Sequence, residues 1–405
     1  MAAESKSHWQ AVQVSDRVWW VGAVDWGLRD FHGYATLRGT TYNAYLVLAD
    51  RAALIDTVKA PFWEEMRARI ASVVDPAKVE VVVCNHAEMD HSGALPQVIA
   101  ACQPEEVIAS VPGQKALRAH FQLDREVRGV KEGETVDLGG ATLAFAEMRM
   151  LHWPESMATF LAEEAVLFSN DAFGMHLASS GRFDDEIPES VLLEEASTYY
   201  ANILLPFSGL ITRALEKVRA LGELRLIAPS HGPIWRRDWR RILDLYGGWA
   251  AQRRRNKAVV IYDTMWQSTA EMARAVVEGL IATGVEVKLL PLKAAHRSQV
   301  MAELLDAAAL VVGSPTLNNG ILPTVADVLT YAKGLKPKGL IGAAFGSHGW
   351  SGEGVPQLEA MLQELKVELA AEGVKAVYVP DEAVLQQCYD LGQAVGEKAK
   401  ARSSA

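Results

Sequence analysis

Short apolar runs closed by turns fill the first part of the chain. RVWWVGAVD, TYNAYLVLAD, AALIDTV, VEVVVCN, TLAFAEM, EAVLFSND and LRLIAPS combine β-branched and aromatic residues with polar or glycine ends, which predicts strands. APFWEEMRARIASVV and GALPQVIAACQP, lying between them, predict helices. After AAQRRRNK the pattern becomes a regular alternation. KAVVIYD, EVKLLPL, ALVVGSP, LIGAAFGS and VKAVYVP are each followed by a helical stretch such as TAEMARAVVEGLIATG. Five apolar strands separated by helices predict a doubly wound, five-stranded parallel sheet. The 405 residues therefore divide into two α/β domains, 1–252 and 253–405.

Composition narrows the partners. A net charge of −10, with QRRRNK as the one basic knot, argues against nucleic acid, because phosphate binding needs clustered cations. No apolar run approaches membrane-spanning length. The start MAAESKSHWQ lacks the apolar stretch of a leader, and three scattered cysteines suit a reducing compartment, so a cytoplasmic location is expected. No CxxC pair is present, so no iron–sulfur site is expected.

The densest chemistry is CNHAEMDHSG at 84–93, where His86, Glu88, Asp90 and His91 fall within six positions. Further candidates follow other strands: His152 in MLHWPES, Asp171 in FSNDAFG and His231 in APSHGPIW. Imidazole and carboxylate suit a borderline-to-hard divalent metal. Seven such side chains are too many for one tetrahedral ion. They suit two metals sharing a bridging carboxylate such as Asp171. His8, His120 and His296 are expected at the surface, and Cys84 as a small buried hydrophobe.

In the second domain the first strand ends in YDTMWQSTAEMA. Thr264, Ser268 and Thr269 there flank a loop that opens a helix, where backbone N–H groups and hydroxyls bind phosphate without a lysine. Neither GxxxxGK[ST] nor GxGxxG occurs, so the loop suits neither ATP nor a dinucleotide. GSPTLNNGILP and FGSHGWSGEG follow the third and fourth strands, at the sheet edge where such folds bind ligands.

With these motifs in hand, the first domain resembles the metallo-β-lactamase fold, an αββα sandwich with a two-metal edge site. Hydrolytic members carry HxHxDH, and this chain has Glu88 where their second His stands. Three carboxylates and one hydroxide balance two ferrous ions, and anionic oxygen favours the ferric state, so the exchange points to redox iron. The second domain resembles flavodoxin. That resemblance assigns the loop of Thr264, Met265, Trp266, Gln267, Ser268 and Thr269 to the phosphate of FMN, with Trp266 and Trp350 as neighbours of the ring; Thr269 is also expected to cap the helix. It assigns Pro315, Thr316, Leu317, Asn318, Asn319 and Gly320, then Ser347, His348, Gly349, Trp350 and Gly352, to loops around the flavin ring.

The combination resembles the flavodiiron proteins, including RDFHGYATLRGTTYNAYLV and YYANILLPF. The resemblance implies one iron on His86, Glu88, His152 and Asp171. A second sits on Asp90, His91, Asp171 and His231, with the His91 contact variable within the family. It places His32 and Tyr199 where they could hydrogen-bond a bound gas. It implies reduction of O2 to water or of NO to N2O. It also implies a head-to-tail homodimer, or a tetramer, in which one chain's FMN faces the other's irons. The chain ends at GEKAKARSSA with no added electron-transfer module, so rubredoxin or a related reductase is the expected donor. Two alternatives stay open: a metal hydrolase with a flavodoxin-like regulatory domain, and a non-enzymatic electron carrier or gas sensor.

Overall fold

A computed structural model describes residues 8–403; residues 1–7 and the last two residues lie outside them. The chain forms two compact units. One comprises the described residues up to Ala196 together with Gly209–Gly247, and the other Ser197–Ser208 together with the chain from Gly248 onward.

The first unit stacks two sheets. Seven strands run in the order Val12–Gln13, Val18–Trp20, Tyr45–Val47, Ala52–Ile55, Val79–Cys84, Glu106–Ser110 and Val127–Val130. The second sheet runs Thr135–Asp137, Thr142–Glu147, Met157–Leu161, Val166–Asn170 and Leu226–Pro229. Alternation decides the layers. Val81 and Val83 join Phe145, Leu161 and Phe168 in the core between the sheets. Val82 and Cys84 face the other way, against Met66, Ile70, Leu95 and Val98 of the outer helices. Burial on both faces explains the unbroken run VEVVVC, and it pushes the Cys84 thiol pKa up. The helices Ser208–Ala220 and Trp239–Ala250 bury Ile211, Leu215, Ile242 and Tyr246.

Two expected strands are each broken in two. RVWWVGAVD divides into Val18–Trp20 and Ala23–Asp25, and TYNAYLVLAD into Thr40–Tyr42 and Tyr45–Val47. The inner halves pair within the large sheet, and the outer halves form a separate ribbon. The break needs Gly22, because a Cβ there would stand 2.2 Å from the Tyr42 carbonyl oxygen. Asn43 holds the other side, donating to the carbonyls of Pro229 (2.8 Å) and Gly232 (2.9 Å). The ribbon thereby carries Thr40 and Thr41 to His231.

The second unit is a parallel sheet in the order Glu286–Pro291, Arg255–Tyr262, Ala307–Gly313, Ile341–His348, Val374–Val377. A two-residue strand, Glu368–Leu369, adds to the same edge beyond the five expected. Helices Ser268–Ala282 and Glu382–Ser403 pack Met272, Val276, Leu391 and Val395 on one face. Their approach is closed by glycine: a Cβ on Gly279 would lie 2.0 Å from the Tyr389 carbonyl oxygen, and one on Gly392 2.1 Å from that of Val276.

Helix propensity alone says glycine to alanine stabilises by ~1 kcal/mol. Packing reverses the sign here. Gly392→Ala is expected to lower stability by about 1–3 kcal/mol through overpacking. Gly334→Ala, an exposed helix site where a Cβ meets nothing within 4 Å, is expected to raise it slightly. Urea unfolding of the two variants checks the opposite signs.

Candidate functional site

Every histidine and carboxylate of the first constellation sits beyond a strand end or in a strand-to-strand loop. Val79–Cys84 leads into the loop of His86 and Glu88, and the one-turn helix Met89–Ser92 then presents Asp90 and His91. His152 lies in the loop between Thr142–Glu147 and Met157–Leu161, Asp171 follows Val166–Asn170, and His231 follows Leu226–Pro229. The ligand loop is tightly held. Asp56 accepts from the Asn85 backbone (2.7 Å) and side chain (3.0 Å), and Thr159 donates to the Asn85 side-chain oxygen Oδ1 (2.7 Å). Thr57 donates its hydroxyl to the carbonyl of His91 (2.6 Å).

The side chains converge into two groups, His86–His152–Asp171 and Asp90–His91–His231, each with one donor atom per residue within 4.8 Å of the others. Glu88 joins the first, its Oε2 3.3 Å from His86 Nε2 and 3.1 Å from His152 Nε2. Asp171 joins both. Its Oδ2 lies 3.4 Å from His86 and 3.6 Å from His152, and its Oδ1 3.2 Å from His91 and 3.6 Å from His231. Asp90 completes the second group, 3.3 Å from His91 and 3.2 Å from His231. Ligands at ~2.1 Å from a common centre stand ~3.0–3.4 Å apart, so most of these spacings match the edges of two coordination polyhedra.

The electrostatics suit a cation. Burial opposes ionisation of Glu88, Asp90 and Asp171, yet the facing imidazoles hold all three carboxyls well below the usual range. Burial likewise opposes protonation of His91, but Asp90 and Asp171 push it up to about 9. Both Asp90 oxygens, Asp171 Oδ2 and His91 Nε2 are buried with no hydrogen-bond partner. Orphaned buried anionic oxygen is costly, and a pair of divalent cations satisfies these atoms. The site fits two metal ions.

Sequence reasoning missed the residues that orient these ligands. Glu155, 4% exposed, contacts His86 Nδ1 at 2.7 Å and accepts from the Ala87 backbone at 3.2 Å. The Thr41 carbonyl meets His231 Nδ1 at 2.6 Å. His176 is buried against the His231 ring at 4.7 Å, with burial first and His231 second keeping it well below its ordinary pKa. Glu155, three residues past His152, could have been found as a carboxylate in a ligand loop. Thr41 acts through its backbone and leaves no signal. Of the two gas-contact candidates, His32 is exposed, with Nε2 3.2 Å from Glu88 Oε1. Tyr199 is buried at the end of helix Glu189–Tyr199, in the segment that groups with the second unit. His8, His120 and His296 are exposed as expected.

In the second unit a cavity of about 460 Å³ opens at the carboxyl edge of the sheet. Met265, Trp266, Ser268, Pro315, Thr316, Asn318, Asn319, Ser347, His348, Gly349 and Trp350 line it, with Ser351 and Tyr378. Thr264, Gln267, Thr269, Leu317, Gly320 and Gly352 are not among the lining residues. Gln267, left-handed at φ 74°, precedes the helix that starts at Ser268. The capping role expected of Thr269 is therefore corrected: it lies inside the first turn, fully buried, 3.3 Å from the Ser347 hydroxyl. Asn318 and Asn319, at φ 48° and 60°, form a tight turn closed by reciprocal backbone bonds between Leu317 and Gly320. Trp266 and Trp350 are 89% and 85% exposed. Two bare indoles beside a hydroxyl-rich helix N-terminus fit a flat aromatic ring carrying a phosphate. Tyr378, unnoticed in the sequence, follows the fifth strand at the same edge.

The ODP family beta lactamase profile matches residues 40–232, and that of flavodoxin residues 260–392. The chain is 47% identical to a nitric oxide reductase of Moorella thermoacetica, over 96% of this chain and 99% of that one. It superposes on rubredoxin oxygen:oxidoreductase of Desulfovibrio gigas with a TM-score of 0.96, at 46% identity over 98% of this chain and 100% of the other. The flavodiiron protein of Giardia intestinalis gives 0.95, at 35% identity over 98% of each.

Two variants test the geometry. Asp171→Ala is expected to lose both metals together, since it serves both groups, while flavin content stays at wild type; metal analysis and visible absorbance read the two. Tyr378→Ala is expected to weaken flavin binding by roughly 3–10-fold, the size of one aromatic contact, measured by fluorescence titration of the flavin-free protein.

Proposed function

Because this chain belongs to the flavodiiron proteins, we propose that it reduces O2 to water, NO to N2O, or both, drawing electrons from an external donor through FMN. It is an oxidoreductase with FMN and a non-haem diiron site. His86, Glu88, His152 and Asp171 would hold one iron, and Asp90, His91, Asp171 and His231 the other. The observation that carries this reading is Asp171, which turns one oxygen toward each group.

When bound, two ferrous ions and a reduced FMN supply the four electrons that take O2 to two waters. The chain's own residues set the conditions. Glu88 contributes an anionic oxygen where a hydrolase carries neutral imidazole, which speaks against the hydrolase alternative. His32 Nε2 lies 3.2 Å from Glu88 Oε1 on the exposed side, and a hydrogen bond from it to a bound gas rests on the family resemblance. A hydrogen bond from Tyr199 to the gas rests on the family resemblance. Trp266, Trp350 and Tyr378 would shield the flavin ring.

The reading extends to assembly. Trp26, Leu37 and Met89 are exposed apolar residues close in sequence to His32 and to the ligand loop. Val377, Tyr378 and Val379 are exposed beside the flavin cavity. Two apolar rims suit a head-to-tail homodimer, alone or paired into a tetramer, in which one chain's flavin serves the partner's irons. A rubredoxin or related reductase would be the donor. All three cysteines are free and buried, which suits the cytoplasm, and no helix among the described residues is long and apolar enough to cross a membrane.

Purified protein made with iron available is expected to hold two irons and one FMN per chain. Steady-state rates with O2, and anaerobically with NO, measured with one defined donor, test the activity; turnover of neither gas by fully loaded protein would overturn it. For the assembly, Asp171→Ala homodimers and flavin-loop (Ser268 and Thr269) homodimers are each expected to be inactive. After equal mixing and verified chain exchange, activity is expected to return to roughly a quarter of wild type, because half the dimers are mixed and each keeps one complete site. No recovery would exclude cross-chain transfer.

A further inference from the structure

The two metal positions have matched donor sets: two imidazoles, one private carboxylate and one oxygen of Asp171 each. Their backing is not matched. His86 Nδ1 meets the carboxylate of Glu155 at 2.7 Å, with both side chains buried. His231 Nδ1 meets the neutral backbone carbonyl of Thr41 at 2.6 Å, with the Thr40 hydroxyl at 3.4 Å. His91 Nδ1 is buried with no hydrogen-bond partner among the described residues.

An imidazole N–H donated to a carboxylate makes the opposite nitrogen a stronger donor than one donated to a carbonyl, and an unbacked ring is weaker still. Glu155 is itself well fixed. It accepts from the Ala87 backbone at 3.2 Å, and its carbonyl accepts from the Ser110 hydroxyl at 2.6 Å. One contact pulls the other way: His32 Nε2, 3.2 Å from Glu88 Oε1, draws charge from the first group's own carboxylate. That contact is longer and open to water, so the buried 2.7 Å pair outweighs it.

We propose that Glu155 is a positioning residue that acts through His86 to make the His86 position the tighter of the two, so that the centre fills in a fixed order, His86 side first. The inference rests on the ligand assignment proposed above, and it holds whether or not His91 binds, since losing that ligand weakens only the second position.

The test loads cobalt(II) into protein stripped of metal but retaining FMN. With one equivalent, anomalous scattering from crystals is expected to concentrate on the His86 side, and titration is expected to resolve two steps. Glu155→Gln is expected to weaken the first step by about 10–100-fold, the usual effect of removing such a partner, and to leave the second within a few-fold; Glu155→Asp should restore most of the loss. Even occupancy at one equivalent, or an equal fall of both steps in Glu155→Gln, would overturn the inference alone. Cobalt away from both groups would overturn the ligand assignment and the inference with it. Should Glu155→Gln fail to fold, the half-loading of the unaltered protein still decides.

Discussion

Everything in the first unit is arranged around one carboxylate, Asp171, buried between two clusters of imidazole and acid. Three carboxylates taken out of water would cost several kcal/mol each if left unbalanced. Facing imidazoles offset part of that charge, but buried oxygens of Asp90 and Asp171 keep no hydrogen-bond partner. Two cations resolve the conflict at once. The same requirement explains the spacing, because a carboxylate with one oxygen in each group ties the two positions together.

The surrounding fold serves that constraint. Strands Val79–Cys84, Val166–Asn170 and Leu226–Pro229 end at one edge of the sandwich, so ligands distant in the chain meet without long loops. The broken strands near the start swing Thr40 and Thr41 onto His231, and Asn43 locks that excursion to the chain around Pro229 and Gly232. Glu155, Asp56 and Asn85 make the ligand loop rigid through buried hydrogen bonds. Metal sites depend on such outer partners nearly as much as on the ligands themselves.

The second unit solves a different problem, holding a planar aromatic group at a sheet edge. The strand order reverses beside Arg255–Tyr262, which opens the crevice between neighbouring loops. Left-handed Gln267, Asn318 and Asn319 set the loop geometry. Backbone bonds such as Thr316 N–H to the Ser347 carbonyl lace the loops to one another. Glycines 279 and 392 bring the helix Ser268–Ala282 against the last helix, so the packing of that pair bears on where the cavity's first turn lies.

What the sequence by itself determined was whatever is local. Apolar runs and their periodicity revealed two kinds of α/β unit, since burial of a strand is written in the alternation of its own residues. HAEMDH revealed a metal loop because four metal-ligating side chains within six positions rarely serve anything else, and the Thr, Ser, Gly and Asn clusters marked the loops at the cavity. Only the tertiary structure decided what faces what. Glu155 backs His86 across 69 residues, and Thr41 meets His231 across 190 through a backbone atom that any residue would supply. The breaks at Gly22 and Asn43, the grouping of Ser197–Ser208 with the second unit, the burial of Thr269 and the presence of Tyr378 in the cavity were invisible for the same reason. Periodicity records which side of an element is buried. It carries no record of the partner from elsewhere in the chain that buries it.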